Sequence, residues 1–255
     1  MKHHLGRIPS PTDARTLRLA NYVRIDATPA PPARLWHRDI PDWGQAGNDK
    51  YGNCVIATAA HAILNWRANE LKDTTKIADN AVIELSREMH ALNGYTLLDR
   101  NKWWRNKTMW SDRLWAFMLI DAADLKQVAI AINSFGVADA GLLMPRAWIN
   151  EKIWDTGSGA NYKPNTWGAH SVPIVGYDET YLYLVTWGYV QKITWSAVAT
   201  YCDECYALID PNWIAGDFIS PSGLDLEKLH ADLFAATGRG LPTAIHVLRH
   251  PYPRT

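Results

Sequence analysis

The sequence predicts an α+β fold, with a helical half led by the stretch that begins at Cys54 and a β half that follows it. Apolar residues recur at three- and four-residue steps through CVIATAAHAILNWRANE, whereas SVPIVGY (171–177) and YLYLVTW (181–187) are β-branched and aromatic runs joined by Asp178-Glu179-Thr180, a hairpin pattern. With 255 residues and 47% hydrophobic side chains, the chain is long enough for one large, two-lobed domain.

Residues 1–33 carry Pro9, Pro11, Pro29, Pro31 and Pro32 around one short amphipathic stretch, Leu17 to Val23. Proline at that density opposes continuous helix or sheet, so this segment reads as an extended arm laid over a domain at 34–240. In the first helix Ile56, Ala59, Ile63 and Trp66 recur on one face, which predicts a buried helix with Cys54 in its opening turn. Residues 79–92 give a second helical pattern. The stretch from Asn101 to Trp115 has four tryptophans and no clean period, a loop or helical insertion that packs a lid onto the domain or offers a stacking surface. Asp121 and Asp124 start a further helix with Leu125, Val128, Ala129 and Ile132 on one face, which Gly136 ends before the strand-like GVADAGLLMP. Gly157, Gly159 and Pro164 mark a loop ahead of the hairpin, and KITWSAVATYCDECYALI continues with a short helix or strand and another strand. Ser222 caps a last helix carrying Leu226, Leu229 and Leu233, before a proline-containing tail at 241–255.

Lys plus Arg total 26 and Asp plus Glu total 26, so no broad field favours nucleic acid or an anionic membrane. The first residues hold no apolar signal-peptide core and no later run approaches the roughly 18 apolar residues of a membrane span, which reads as a soluble, cytoplasmic chain. The three cysteines, Cys54, Cys202 and Cys205, are too few for a disulfide scaffold. Cys202-Asp203-Glu204-Cys205 has the gap of a zinc knuckle, but the second cysteine pair such a site needs is missing, and His61 reads as core or surface filler; no metal and no cofactor is expected.

A thiol is a good nucleophile only as thiolate, and a helix amino terminus favours the charged form. Cys54 is placed for this, and Gly52 before it lets backbone approach a substrate and leaves the Cys54 N–H as an oxyanion donor. The bland alternative is a buried, inert cysteine. His170, at the entry of the first hairpin strand where a polar imidazole would face a cleft end, would complete a nucleophile–base pair with the thiol; the alternative is a satisfied structural histidine.

GNC opening an alanine-rich helix, followed much later by GAHSVPIVGYD, a hairpin and a Trp-Gly pair, resembles the papain-like cysteine peptidases. The resemblance spans roughly residues 34–210 and is strong only around Cys54 and from His170 to Gly188; RLWHRDIPDW is weakly similar to the start of the mature enzymes. It implies a two-lobed papain-like fold, a helical lobe led by the Cys54 helix and an antiparallel sheet or barrel lobe carrying His170. It implies Cys54 as nucleophile and His170 as base, with Gly52, Asn53, Ala169 and Trp187 along the substrate cleft. At the family's oxyanion glutamine stands Asn48, one methylene shorter, and at its orienting asparagine stands Thr186, with the following serine deleted. Residues 1–33 fall where the family has a propeptide.

Two function classes follow. The first is a cysteine hydrolase acting on a peptide or protein substrate through a Cys54 acyl-enzyme; related acyl transfers and deamidations use the same pair. The second is a catalytically weak or inactive binding protein on the same fold, motivated by Asn48 and Thr186. Its arm would lash copies into a homo-oligomer or larger assembly, for example a component of a phage or other particle, and a fully buried Cys54 with a filled cleft would favour it.

Overall fold

In the computed structural model, residues 3–211, 213 and 224–241 are described. Along them run β1 (Arg7–Ile8), a 3-10 turn (Leu19–Asn21), β2 (Arg34–Leu35), α1 (Cys54–Glu70), α2 (Asp79–Glu88), β3 (Tyr95–Thr96) and α3 (Leu97–Asn106). There follow β4 (Ala116–Leu119), α4 (Leu125–Phe135), β5 (Ala138–Met144), β6 (Ile153–Trp154), β7 (Gly168–Tyr177), β8 (Tyr181–Thr186), β9 (Tyr189–Thr194), α5 (Trp195–Tyr201), β10 (Cys202–Ile209) and α6 (Leu226–Thr237).

The predicted α+β class stands. The β half is an open sheet in the order β4-β10-β5-β7-β8-β9-β6, with β2 pairing the outer end of β7. It does not close into a barrel, and among its pairs β6–β9 is parallel while the others are antiparallel. Alternation along the strands divides the core in two. Ala138, Ala140, Leu142 and Met144 of β5 pack with Val128 and Ile132 of α4, Val198 of α5 and Leu229 of α6. Val185, Tyr206 and Leu208 point the other way, into a core with Val55, Ile56 and Ile63 of α1, Val82 of α2 and Trp104 of α3. The sheet is thus covered by helices on both faces, and α1 lies against β7, the strand that carries His170.

α1 is buried nearly all round, beyond the single face that its period marks, because its alanines let the neighbouring elements approach closely. Trp66 is fully buried, donates to the Phe135 carbonyl at 2.8 Å and packs on Trp104. Trp66→Ala is expected to cost about 3–5 kcal/mol, seen as a lower denaturation midpoint.

Several boundaries differ from expectation. Of the two forms expected for 101–115, a loop or a helical insertion, the first part is helical: the Thr96 hydroxyl accepts from the Asp99 N–H and starts α3, whose Trp104 packs in the core. The second helix ends at Glu88, four residues early, because His90 takes a left-handed conformation. β4 has too few residues to show a period. Ser222 lies outside the described residues, and α6 is capped by Asp225, which accepts from the Lys228 N–H.

Candidate active site

Cys54 is the first residue of α1. Asn53 precedes it without capping the helix, since its side-chain amide donates instead to the Ala46 carbonyl (3.0 Å) and the Ser86 hydroxyl (3.2 Å). Asn53 is 0% exposed and braces the loop against α2, so it does not line a substrate cleft as expected. With no side-chain cap, the N–H groups of the opening turn are left to other partners, and the Val55 N–H faces the Cys54 sulfur.

His170 lies on β7, opposite Leu142 of β5. Next in the chain, Ser171 ties this strand to α1 in two ways: its N–H points at the Cys54 sulfur, and its hydroxyl donates to Thr58 Oγ1 at 3.0 Å, one turn along the helix from Cys54. The His170 Nε2 is 2.8 Å from Thr186 Oγ1, while Nδ1 is buried with no hydrogen-bond partner. Thr186 ends β8, and the next two residues make the turn into β9 with positive φ at both, 44° at Trp187 and 83° at Gly188. This two-residue turn matches the twist of the strands but forces a bulky residue into the left-handed region. The strain is held where the indole stacks on the His170 ring, centroids 4.6 Å apart and planes 15° apart.

The cleft is filled by the chain's own arm. The His3 ring stacks on Trp187 at 4.1 Å. The His4 carbonyl accepts from Asn48 Nδ2 and from Trp187 Nε1, both at 3.3 Å. Leu5 packs against Gly168, next to Ala169, where an added Cβ would come within 2.8 Å of it. The Gly6 N–H points at the Cys54 sulfur, and the Gly6 carbonyl accepts from the Tyr95 N–H at 3.0 Å. A Cβ on Gly6 would lie 1.8 Å from the Gly52 carbonyl oxygen, so only glycine fits. β1 then pairs in parallel with β3, and the fully buried Arg7 guanidinium reaches Asp203 (2.5 Å) and Glu204 (2.9 Å) on β10.

Burial sets the protonation of the pair. It pushes the Cys54 thiol up to about 11, against the opposing N–H groups of Ser171 and Gly6, the Arg7 charge and the N–H of Val55. It pushes the His170 imidazole down to about 3, helped by the charges of His3, Arg7 and His61. The helix amino terminus was expected to favour a thiolate; in this covered state desolvation outweighs it, and both groups are neutral.

His61 is likewise core: its Nε2 bonds the Gly44 carbonyl at 3.1 Å, and burial lowers it to about 4. A histidine depressed in the folded state favours folding above its ordinary value near 6.5 and loses that contribution as pH falls through the folded value. Unfolding free energy is therefore expected to drop between about pH 6.5 and 4, and His61→Gln to flatten the slope by up to about 1.4 kcal/mol per pH unit. Denaturant titrations across that range measure it.

Asn48, Gly52, Cys54 and Trp187 each meet residues 4–6 of the arm, His170 is bonded to Thr186 and stacked on Trp187, and Ala169 lies next to Gly168, which faces Leu5. Sequence reasoning missed His3, His4, Gly6 and Arg7 of the arm, together with the Tyr95 edge and the Asp203–Glu204 anchor. The one available signal was a Gly-Arg pair in the arm and a carboxylate pair far along the chain. No group of three or more His, Cys, Asp or Glu side chains among the described residues is placed to hold a metal ion. No helix among them is long and apolar enough to cross a membrane.

No family model matches the sequence, and no curated protein matches it. Solved structures do share its fold. Xylellain, a cysteine protease from Xylella fastidiosa, superposes with a TM-score of 0.63 at 14% identity, over 82% of this chain and 96% of that one. Procathepsin B S9 from Trypanosoma congolense gives 0.59 at 10% identity, over 82% and 86%. Digestive procathepsin L 3 from the larval midgut of Tenebrio molitor gives 0.56 at 12%, over 80% and 75%. The chain has the papain-like fold, at 10–14% sequence identity to these structures.

Proposed function

We propose that the protein is a cysteine hydrolase of the peptidase or amidase type, and that the covered form is its latent state. The observation that carries this reading is the His170 ring: Nε2 tied to Thr186, one face stacked on Trp187, and Nδ1 left without a partner on the strand whose next residue touches the Cys54 sulfur. Buried polar atoms are in the great majority hydrogen-bonded, so an unpartnered nitrogen beside the strand residue that touches the thiol supports a role for this ring beyond packing.

With the arm withdrawn, water returns, and the burial that keeps the pair neutral is relieved. The Cys54 proton passes to His170 Nδ1, and the thiolate attacks a substrate carbonyl carbon. The developing oxyanion is held by Asn48 Nδ2 and the Cys54 N–H. Asn48 already donates to an arm carbonyl, which supports it as a donor despite its shorter side chain. His170 then protonates the leaving amine, and water releases the acyl group. Thr186 keeps the ring oriented, and Trp187 shields that hydrogen bond from solvent.

Cys54 is 1% exposed and the cleft is full, which favours the second reading, a binding protein on an inactive scaffold. The filling, however, is a segment of the same chain that meets the site mostly through backbone atoms. Hydrolysis of a mixed fluorogenic peptide library by protein whose arm has been loosened separates the two. Activity lost in Cys54→Ala, with the fold retained by circular dichroism, supports the hydrolase; no hydrolysis from any loosened form supports the scaffold.

A further inference from the structure

Cys202 and Cys205 flank the two carboxylates that grip the arm. In a regular strand, residues three apart point to opposite faces. β10 is irregular here: Cys202 pairs with Leu142, Glu204 with Gly141 and Cys205 with Ala140, so three steps along β10 match two along β5. The irregularity turns both cysteines onto the same face, in one core, with Cys205 buried and Cys202 partly exposed. The two side chains are close enough for each to affect the other's ionisation, and Cys202 donates to the Glu204 carbonyl at 3.3 Å.

Between the cysteines, Asp203 and Glu204 hold the Arg7 guanidinium. Gly141 makes room for it, since a Cβ there would come within 2.5 Å of Arg7 Nη1. Glu204 also accepts from the Tyr206 hydroxyl at 2.8 Å and the Ser10 N–H at 3.4 Å. One bulge therefore sets both the sulfur pair and the anchor of the arm.

We propose that Cys202 and Cys205 are a redox site whose oxidation to a disulfide loosens the Asp203–Glu204 grip on Arg7 and frees the arm. A disulfide draws the two Cβ atoms to about 3.8 Å, which compresses the segment between them and turns its carboxylates. The oxidant is a low-molecular-weight disulfide such as glutathione disulfide. The partly exposed Cys202, as thiolate, attacks one of its sulfurs and releases one thiol. Cys205 attacks the Cys202 sulfur of the mixed disulfide as its proton passes to the departing thiolate, which leaves as the second thiol. Two protein thiols are oxidised and one disulfide is reduced to two thiols.

That release would unmask an enzyme rests on the hydrolase reading, but the switch itself is measurable without it. In the full-length Cys54→Ala protein, which retains only this cysteine pair, glutathione disulfide is expected to yield a Cys202–Cys205 cross-linked peptide. Hydrogen exchange at the Tyr95 amide, which donates to Gly6, is expected to accelerate about tenfold or more and to return to the original rate with dithiothreitol. Cys202→Ser/Cys205→Ser in the same background should not respond, while Arg7→Met should exchange fast without oxidant. A glutathione adduct without the cross-link, a cross-link that leaves Tyr95 exchange unchanged, or slow exchange in Arg7→Met each overturns the proposal. None of these results depends on Cys54 being catalytic.

Discussion

Gly6→Ala is expected to expose Cys54 and to raise its alkylation rate by iodoacetamide about ten- to a hundredfold. The added methyl would sit 1.8 Å from the Gly52 carbonyl oxygen, a backbone atom that has no flexible side chain to swing away. Overpacking of this kind costs about 1–3 kcal/mol, and each 1.4 kcal/mol shifts the closed–open balance about tenfold. The arm is also the part of the structure best able to relieve the overlap, since next to the overlap it is held by the two-residue strand β1 and by a few backbone hydrogen bonds at His4 and Gly6. Peptide mapping of the alkylated site gives the rate. Unchanged alkylation in Gly6→Ala would show that the arm does not control access to the thiol.

The second large effect concerns the base. In the Gly6→Ala protein, His170→Ala is expected to lower kcat/KM on responsive peptides about 10³-fold, the scale of a lost general acid–base group. The loss has two sources. The thiol no longer transfers its proton to the unpartnered Nδ1, and the leaving amine no longer receives one. Thr186→Val, which removes only the hydroxyl bonded to Nε2, should lose less, because stacking on Trp187 still restrains the ring. Equal activity in His170→Ala and its parent would leave the histidine a structural role only.

Much of this site was legible because the chemistry sits on the most regular elements. The Cys54 helix shows its period over many residues, and the His170 strand shows β-branched and aromatic composition bounded by turn residues. Thr186 could be counted from His170 because the intervening hairpin is tight. Asn53 misled because adjacency to the nucleophile says nothing about the direction of a side chain, and the loop at Ala46 and Gly47, both with positive φ, turns it toward α2. The short strands β1, β3 and β6 have no period to read, and the closed barrel was not formed because the sheet ends on β4 and β6. The arm's grip was invisible for a different reason. Arg7 meets Asp203 and Glu204 across nearly the whole chain, and local pattern carries no record of such a pairing. Protonation was also out of reach, since helix position argues for a thiolate and only burial in the folded chain argues against it.

The pH dependence of Cys54 alkylation in Gly6→Ala, with and without His170→Ala, tests the central pairing most directly. With the arm displaced, the rate should hold a plateau well below the ordinary thiol value of about 8.5, and the plateau should vanish in the His170→Ala variant. A rate that rises only near that value and is the same in both proteins would contradict a Cys54–His170 nucleophile.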